Sequence, residues 1–438
     1  MREEFGRMLF SYKEPDFRKR LSQLREKIAQ GAAFAPGEAR YDELLKIVGD
    51  VEKRGDEALA ELTKRFDGVT LKPKEFAVSN EQMAEAHRKV DSKLLASLRK
   101  AIANVRKYQT EVLAAGTKKC GRATGIRYTP IRRVGVCVPG ASAPLPSTVI
   151  MTVVPAQVAG VKEIAVISPP RFEGGIHPVI LAVCHELGIG EVYRVGGAQG
   201  VAALAVGTRT IRKVHKIVGP GNQWVQTAKK HYFGRVDIDS MAGPSEVLIV
   251  ANKKANPAWV AADMLSQAEH GPGSAAVFTD SGELAEAAVE ELGRQVEKLS
   301  RRQETSKCLA ELGGIAVFED MEGVIEAAND FASEHLQIQC GGESREIAAR
   351  IANAGAIFIG CYSPVAVGDY WAGPSHTLPT GMSAKFFSAL SANDFVKSTS
   401  IIEYGKKQLE KDAADIIRLA ETEGLDAHAN SVRIRTQE

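Results

Sequence analysis

Gln267 and His270 stand three residues apart in Leu265-Ser-Gln-Ala-Glu-His-Gly-Pro272, at the end of a segment that reads as a helix. That spacing puts both on one face of the last turn. Imidazole is the commonest protein ligand for zinc, and an amide oxygen is an unusual but available one. The blander reading of the pair is a histidine complementing the helix dipole and a glutamine facing solvent. Glu334-His335, just before the alternating Leu336-Gln-Ile-Gln339, is a carboxylate beside an imidazole, a pair able to divide acid and base work. Against that stands a solvated junction with no chemistry. Asp369 and His376 share Gly368-Asp-Tyr-Trp-Ala-Gly-Pro-Ser-His376. There a hard oxygen and a second imidazole occupy a flexible loop after a predicted strand, and the carboxyl ends of parallel strands are where α/β proteins place ligands. As a plain turn, Asp369 caps backbone and His376 packs on Trp371. Glu423 and His428 lie in the tail. Four dispersed fragments of this kind point to a metal-assisted enzyme.

These groups need elements to hold them. Asn256-Pro257 is a helix start and Gly271-Pro272 a stop, so the helix carrying Gln267 is expected to run to His270. The first part of the chain, to about residue 120, repeats apolar positions at helical spacing and predicts a mostly helical opening. Short β-branched runs follow at 134–138, 163–168, 191–195, 216–218 and 235–238, then again at 246–251, 275–279, 314–318, 336–339 and 356–359. Each series alternates with amphipathic stretches, which predicts a mainly parallel sheet covered on both faces. The fold class expected is therefore α/β, with two tandem, incomplete Rossmann-like doubly wound units, a helical N-terminal region and a small C-terminal helical tail. After Leu390 strands are expected to cease, with one more helix over 404–421. In the first series, small residues follow the strands directly at Val138-Pro-Gly140, Val195-Gly-Gly-Ala-Gln199 and Val218-Gly-Pro-Gly-Asn222. Such turns let backbone N–H groups approach a pyrophosphate, although none is the G-x-G-x-x-G fingerprint and tight turns without a ligand share the pattern.

Composition narrows the function classes. At 438 residues the chain exceeds what one hydrophobic core usually organises. Its 56 Lys+Arg against 54 Asp+Glu and only 6% aromatic residues argue against a nucleic-acid partner. Six cysteines, Cys120, Cys137, Cys184, Cys308, Cys340 and Cys361, form no C-x-x-C pair and read as reduced thiols of a cytoplasmic protein. Met1-Arg-Glu-Glu-Phe5 is charged where a signal peptide turns apolar, and the greasiest stretch, 147–161, is too short to span a bilayer, so no membrane role is expected.

Taken together the motifs resemble one family, the histidinol dehydrogenases. The resemblance runs from Arg54-Gly-Asp-Glu-Ala-Leu59 to the tail and rests on Val195-Gly-Gly-Ala-Gln-Gly200, Ile217-Val-Gly-Pro-Gly-Asn222, Ala242-Gly-Pro-Ser-Glu-Val-Leu248, Leu265 to Pro272, Ser333-Glu-His-Leu336 and Gly368-Asp-Tyr370 through His376-Thr-Leu-Pro379. It implies a zinc-dependent oxidation of L-histidinol to L-histidine through an enzyme-held aldehyde, with two NAD used in succession. By position it implies zinc ligands Gln267, His270, Asp369 and His428, with the substrate's own nitrogens completing the coordination. His335 matches the base that takes the hydroxyl proton, and Glu334 the residue that activates water on the aldehyde. Ser245, His376 and Glu423 match further substrate contacts, and Cys137, Gln199 and Asn222 match positions that contact NAD. The resemblance also implies a homodimer in which the tail bearing Glu423 and His428 reaches the partner's active site. The domains it implies are a helical segment 1–33, a helical part of the larger α/β domain at 34–133, an inserted NAD-binding domain at 134–245, the rest of the larger domain with the zinc and catalytic residues at 246–390, and a helical tail at 391–438. Three residues depart from the family pattern: Cys137 where tyrosine is usual, Ala141 where a second glycine follows Pro-Gly, and Ser375 in place of asparagine. Two other readings stay open, a paralogue oxidising another small amino alcohol or diol, and a zinc hydrolase in which Glu334 activates water directly.

Overall fold

The computed structural model describes residues 5–29, 33–140, 144–269, 271 and 273–437, which fall into two compact units. Unit one comprises Met1–Leu113 and Ile131–Phe395, and unit two Ala114–Pro130 and Val396–Glu438. Unit one holds two all-parallel sheets. The first has five strands in the order Glu191–Tyr193, Glu163–Ile167, Arg133–Cys137, Lys216–Val218, Asp237–Ile238. The second has six, in the order Leu9–Ser11, Gly313–Val317, Gly273–Thr279, Ser245–Ala251, His335–Gln339, Ala356–Ile359. Setting Leu9–Ser11 aside, both sheets follow one winding: the strand that comes first in each series lies at the centre, the next two stack to one side and the last two to the other. This is the incomplete doubly wound arrangement expected from the two series of apolar runs.

The second sheet is buried on both faces because its strands alternate between two cores. Val247, Ile249 and Ala251 pack toward helices Pro257–Ala268, Gly282–Val296 and Arg302–Leu312. Leu248 and Val250, pointing the other way, meet helices Phe17–Ala29, Met321–Phe331 and Ser344–Ala349. The first sheet shares a core with helices Ala39–Arg54, Asp56–Asp67, Gly197–Val206 and Gln223–Tyr232. Leu44, Val48, Leu59 and Leu62 of those first two helices are buried against the first sheet.

Within the mostly helical opening, Leu9–Ser11 pairs in parallel with Gly313–Val317, with Leu9 opposite Ile315. One expectation is corrected: strands do not cease after Leu390, for in unit two Val396–Ile402 runs antiparallel to Thr124–Pro130, which also pairs with Thr117–Lys119. Both strands of that longer pair are polar and half-exposed, so they lack the apolar run that marked the others. The tail then forms helices Lys406–Thr422 and Asp426–Thr436. Among the described residues no helix is long and apolar enough to cross a membrane.

Candidate active site

The helix Pro257–Ala268 begins as its sequence dictates, with the Asn256 side chain accepting the Ala258 N–H at 2.9 Å and Pro257 in the first turn. It stops two residues short of the expected end, and His270 itself lies outside the described residues. Gln267, in the last turn, is 2% exposed. Its carbonyl closes on Gly273, which pairs with Ser245 across neighbouring strands. Helix Met321–Phe331, capped by Asp320 on the Gly323 N–H at 2.9 Å, ends at Ala332 in the left-handed region (φ 47°) and turns the chain into Glu334-His335. Ser245, Ser274 and His335 all stand at the start of their strands. The chemistry of the second sheet is thus gathered at its amino edge.

Asp369 reaches this edge by a route the sequence did not reveal. The loop was expected at the carboxyl end of Ala356–Ile359; instead the short helix Val365–Tyr370 intervenes and sets Asp369 Oδ1 3.6 Å from His335 Nε2. Gly368 permits this approach, because a Cβ there would sit 2.7 Å from the Phe358 ring. His335 is 3% exposed, and its Nδ1 lies 2.9 Å from the Glu246 carbonyl oxygen. A carbonyl only accepts, so Nδ1 carries a hydrogen in either protonation state, and Nε2, on Asp369's side of the site, is the atom at which the ring gains or loses its second proton. Burial works against a charged imidazole here, but the adjacent Glu334 and Asp369 carboxylates outweigh it and hold the His335 pKa well above its ordinary value.

Glu334 is held by a residue that sequence reasoning quoted only as part of a motif. The Glu246 N–H donates to Glu334 Oε2 at 2.8 Å, and the Glu334 N–H points back to Glu246 Oε2 at 3.4 Å. Glu246 Oε1 accepts the Gly381 N–H at 2.6 Å. Both glutamates are nearly inaccessible, at 3% and 4% exposed. Burial, reinforced by the charge of Glu334, pushes the Glu246 carboxyl up to about 8. Only an acidic residue inside an otherwise apolar strand, Ser245-Glu-Val-Leu-Ile-Val-Ala251, could have signalled it. His376 is half-buried, its Nε2 3.5 Å from Thr148 Oγ1. Burial lowers the His376 pKa. The variant Ser375 is integrated beside it, donating to the Met151 carbonyl at 2.9 Å and accepting the Thr377 N–H at 3.1 Å.

A cleft of about 790 Å³ joins this edge to the first sheet. One wall carries Gly243, Pro244, Glu246 and Ser274; the other carries Cys137, Gly140, Gly196, Gly197, Gly221 and Asn222 from the turns at the carboxyl edge of the first sheet. The turns after Arg133–Cys137 and Lys216–Val218 flank the point where the strand order reverses, the usual ligand position in such sheets. Gly219 adopts φ 112°, and a Cβ on it would sit 2.3 Å from the Cys137 oxygen. Beneath that turn, the fully buried Lys229 ammonium donates to the Gly219 carbonyl at 2.9 Å and pairs with Asp239, which accepts the Gly219 N–H at 2.7 Å. Asn222 caps helix Gln223–Tyr232 through the Val225 N–H. Gln199 is buried with its amide against Gly197. Cys137 is also buried, and desolvation raises its thiol to about 12, so it is an apolar wall rather than a nucleophile. Ala141 lies outside the described residues.

Of the residues named from sequence, Ser245, Gln267, Glu334, His335 and Asp369 come to the amino edge, and Cys137 and Asn222 line the cleft. Glu423 and His428 belong to unit two, where both are exposed. Among the described residues no cluster of three or more His, Cys, Asp or Glu side chains forms a metal cage.

A family model described as histidinol dehydrogenase matches residues 37–436. The chain belongs to the histidinol dehydrogenase family. Membership makes it an oxidoreductase. The histidinol dehydrogenase of Rhodopirellula baltica is 46% identical over 394 residues, spanning 89% of this chain and 85% of its own length. That of Heliobacterium mobile is 44% identical over 399 residues, with 90% and 93% covered. The crystal structure of histidinol dehydrogenase from Elizabethkingia anophelis superposes with a TM-score of 0.90 at 32% identity, covering 98% of each chain.

Proposed function

We propose that this histidinol dehydrogenase oxidises L-histidinol to L-histidine through L-histidinal, with zinc and two NAD used in succession, as a cytoplasmic homodimer of the histidine pathway. The single observation that supports the reading is the buried Glu334–His335 pair beside Asp369, joined through Glu246 to the wall of a glycine-lined cleft of dinucleotide size. His335 Nε2 takes the hydroxyl proton while the carbinol hydride leaves. Glu334 then takes a proton from the water that adds to the aldehyde carbon while His335 gives its proton to the aldehyde oxygen, and His335, neutral again, takes the hydrate's proton as the second hydride departs. The Glu246 carbonyl keeps the His335 tautomer fixed through both steps. Ser245, His376 and Glu423 orient the substrate in this scheme. The turns that carry Cys137, Gln199 and Asn222 receive the dinucleotide, whose nicotinamide accepts the hydride in each step.

Gln267, His270, Asp369 and His428 are the residues that would hold the metal. Two imidazoles with amide and carboxylate oxygens suit a borderline divalent ion, and the burial of Gln267 and partial burial of Asp369 leave their oxygens little water to lose. When bound, zinc supplies a fixed anchor for the substrate's nitrogens. A second copy supplying Glu423 and His428 fits the exposure of both residues. It fits also the edge strand Ala356–Ile359, where Ile357, Ile359 and the following Tyr362 and Trp371 are all exposed, an apolar edge of the kind a partner covers. The deciding measurement is NAD reduction with L-histidinol before chelation, after it, and with zinc restored. Two NADH per histidinol, lost on chelation and regained with zinc, are expected. One NADH per substrate with the aldehyde accumulating would defeat the four-electron assignment.

A further inference from the structure

The second-sheet wall of the cleft carries two polar groups that the reaction scheme leaves unused. Ser274 is the register partner of Glu246 on the adjacent strand, so both side chains leave the same face of the sheet, and both line the cleft. Ser274 is 4% exposed, and its hydroxyl has no hydrogen-bond partner, a costly state for a buried oxygen. Glu246 uses its Oε1 on Gly381 and is joined to Glu334 by the reciprocal backbone contacts. The glycine turns at Gly140, Gly196 and Gly221 lie on the opposite wall. The cleft runs from those turns to Glu246, whose backbone N–H donates to Glu334, so a dinucleotide whose pyrophosphate meets the turns can set its redox ring against the Ser274–Glu246 wall, next to Glu334.

Resting on the NAD reading above, we propose that Ser274 and Glu246 form the subsite for the nicotinamide carboxamide, a primary amide. The Ser274 hydroxyl donates to the amide oxygen and Glu246 accepts from the amide nitrogen. This pairing fixes the rotation of the ring within the cleft. Burial that keeps Glu246 largely protonated at neutral pH favours a neutral amide there over a cation. A neutral primary amide offers both a donor and an acceptor, and so matches what a hydroxyl and a carboxyl present.

The test compares equilibrium binding of NAD with that of ADP-ribose, which lacks the ring, by titration calorimetry on the purified full-length protein and on Ser274→Ala. Loss of one buried hydrogen bond predicts that NAD binds about tenfold more weakly to the variant. ADP-ribose is expected to bind both proteins alike, and this also reports that the variant is folded. The 3-acetylpyridine analogue of NAD keeps the carbonyl but lacks the amide nitrogen. It should bind wild type more weakly than NAD, and lose the same factor again in Ser274→Ala. An unchanged ratio of NAD to ADP-ribose affinity in the variant, or an equal loss for both, overturns the subsite while leaving the cofactor assignment standing. Wild-type protein that binds neither ligand overturns the NAD reading and the subsite with it.

Discussion

Replacing Glu246 with glutamine should change how stability depends on pH, and the structure sets both sign and size. The carboxyl is 3% exposed, has no cation among its hydrogen-bond partners, and faces Glu334 and the Gly381 N–H; His335 is the nearest basic group that offsets its charge. Its pKa rises from 4.5 to about 8 on folding. Between those two values the folded protein keeps a proton that the unfolded chain releases. The contribution of Glu246 to stability is therefore full below the unfolded pKa and is lost as pH rises through the folded one. At about 1.4 kcal/mol per pH unit over a span of about 3.5 units, wild type loses on the order of 5 kcal/mol across the window, an upper figure because Glu334 and His335 titrate with it. Glutamine has no proton to lose. Thermal unfolding of both proteins at steps from about pH 4 to about pH 9 should show the variant gaining on wild type as pH rises, with the difference levelling above about pH 8. A difference between the two that stays constant across this range would refute the assignment of Glu246 as a buried acid raised by desolvation.

His335→Asn is expected to reduce both oxidation steps by at least about a hundredfold, the scale of losing a general base, with zinc content unchanged; Glu334→Gln should chiefly slow oxidation of supplied histidinal. Near-normal turnover in His335→Asn would show that another group is the base. Lys229→Met leaves Asp239 buried without its counter-ion and should cost about 3–5 kcal/mol of stability, read as a lowered unfolding midpoint, with weaker NAD binding because the Gly219 turn loses its carbonyl donor. Gly219→Ala adds a Cβ 2.3 Å from the Cys137 oxygen at φ 112°, so the turn must move; calorimetry should find NAD affinity lowered, and an unaltered affinity would exclude that turn from the cofactor site.

Local signals announced a good part of the molecule. Asn256-Pro257 started its helix as written, and the two series of buried β-branched runs became two sheets of the same winding, because a strand covered on both faces must be apolar along its whole length. Glu334, His335 and Asp369 were named from residue type and spacing, and they do meet, though spacing alone left a solvated junction equally open. Tertiary structure decided the rest. Leu9–Ser11 is three residues long, too short for periodicity, and becomes a strand only when Gly313–Val317 lies beside it. Val396–Ile402 is polar and half-exposed, so its identity as a strand resides in its partner Thr124–Pro130. That the chemistry sits at the amino edge of the second sheet depends on the intervening helix Val365–Tyr370 and on Gly368 against Phe358, neither of which can be weighed one segment at a time. Glu246 illustrates the division most directly: its position in an apolar strand was visible in the sequence. Its raised pKa and its grip on Glu334 arise only when a parallel neighbour brings a second carboxylate alongside and excludes the water that would have screened them.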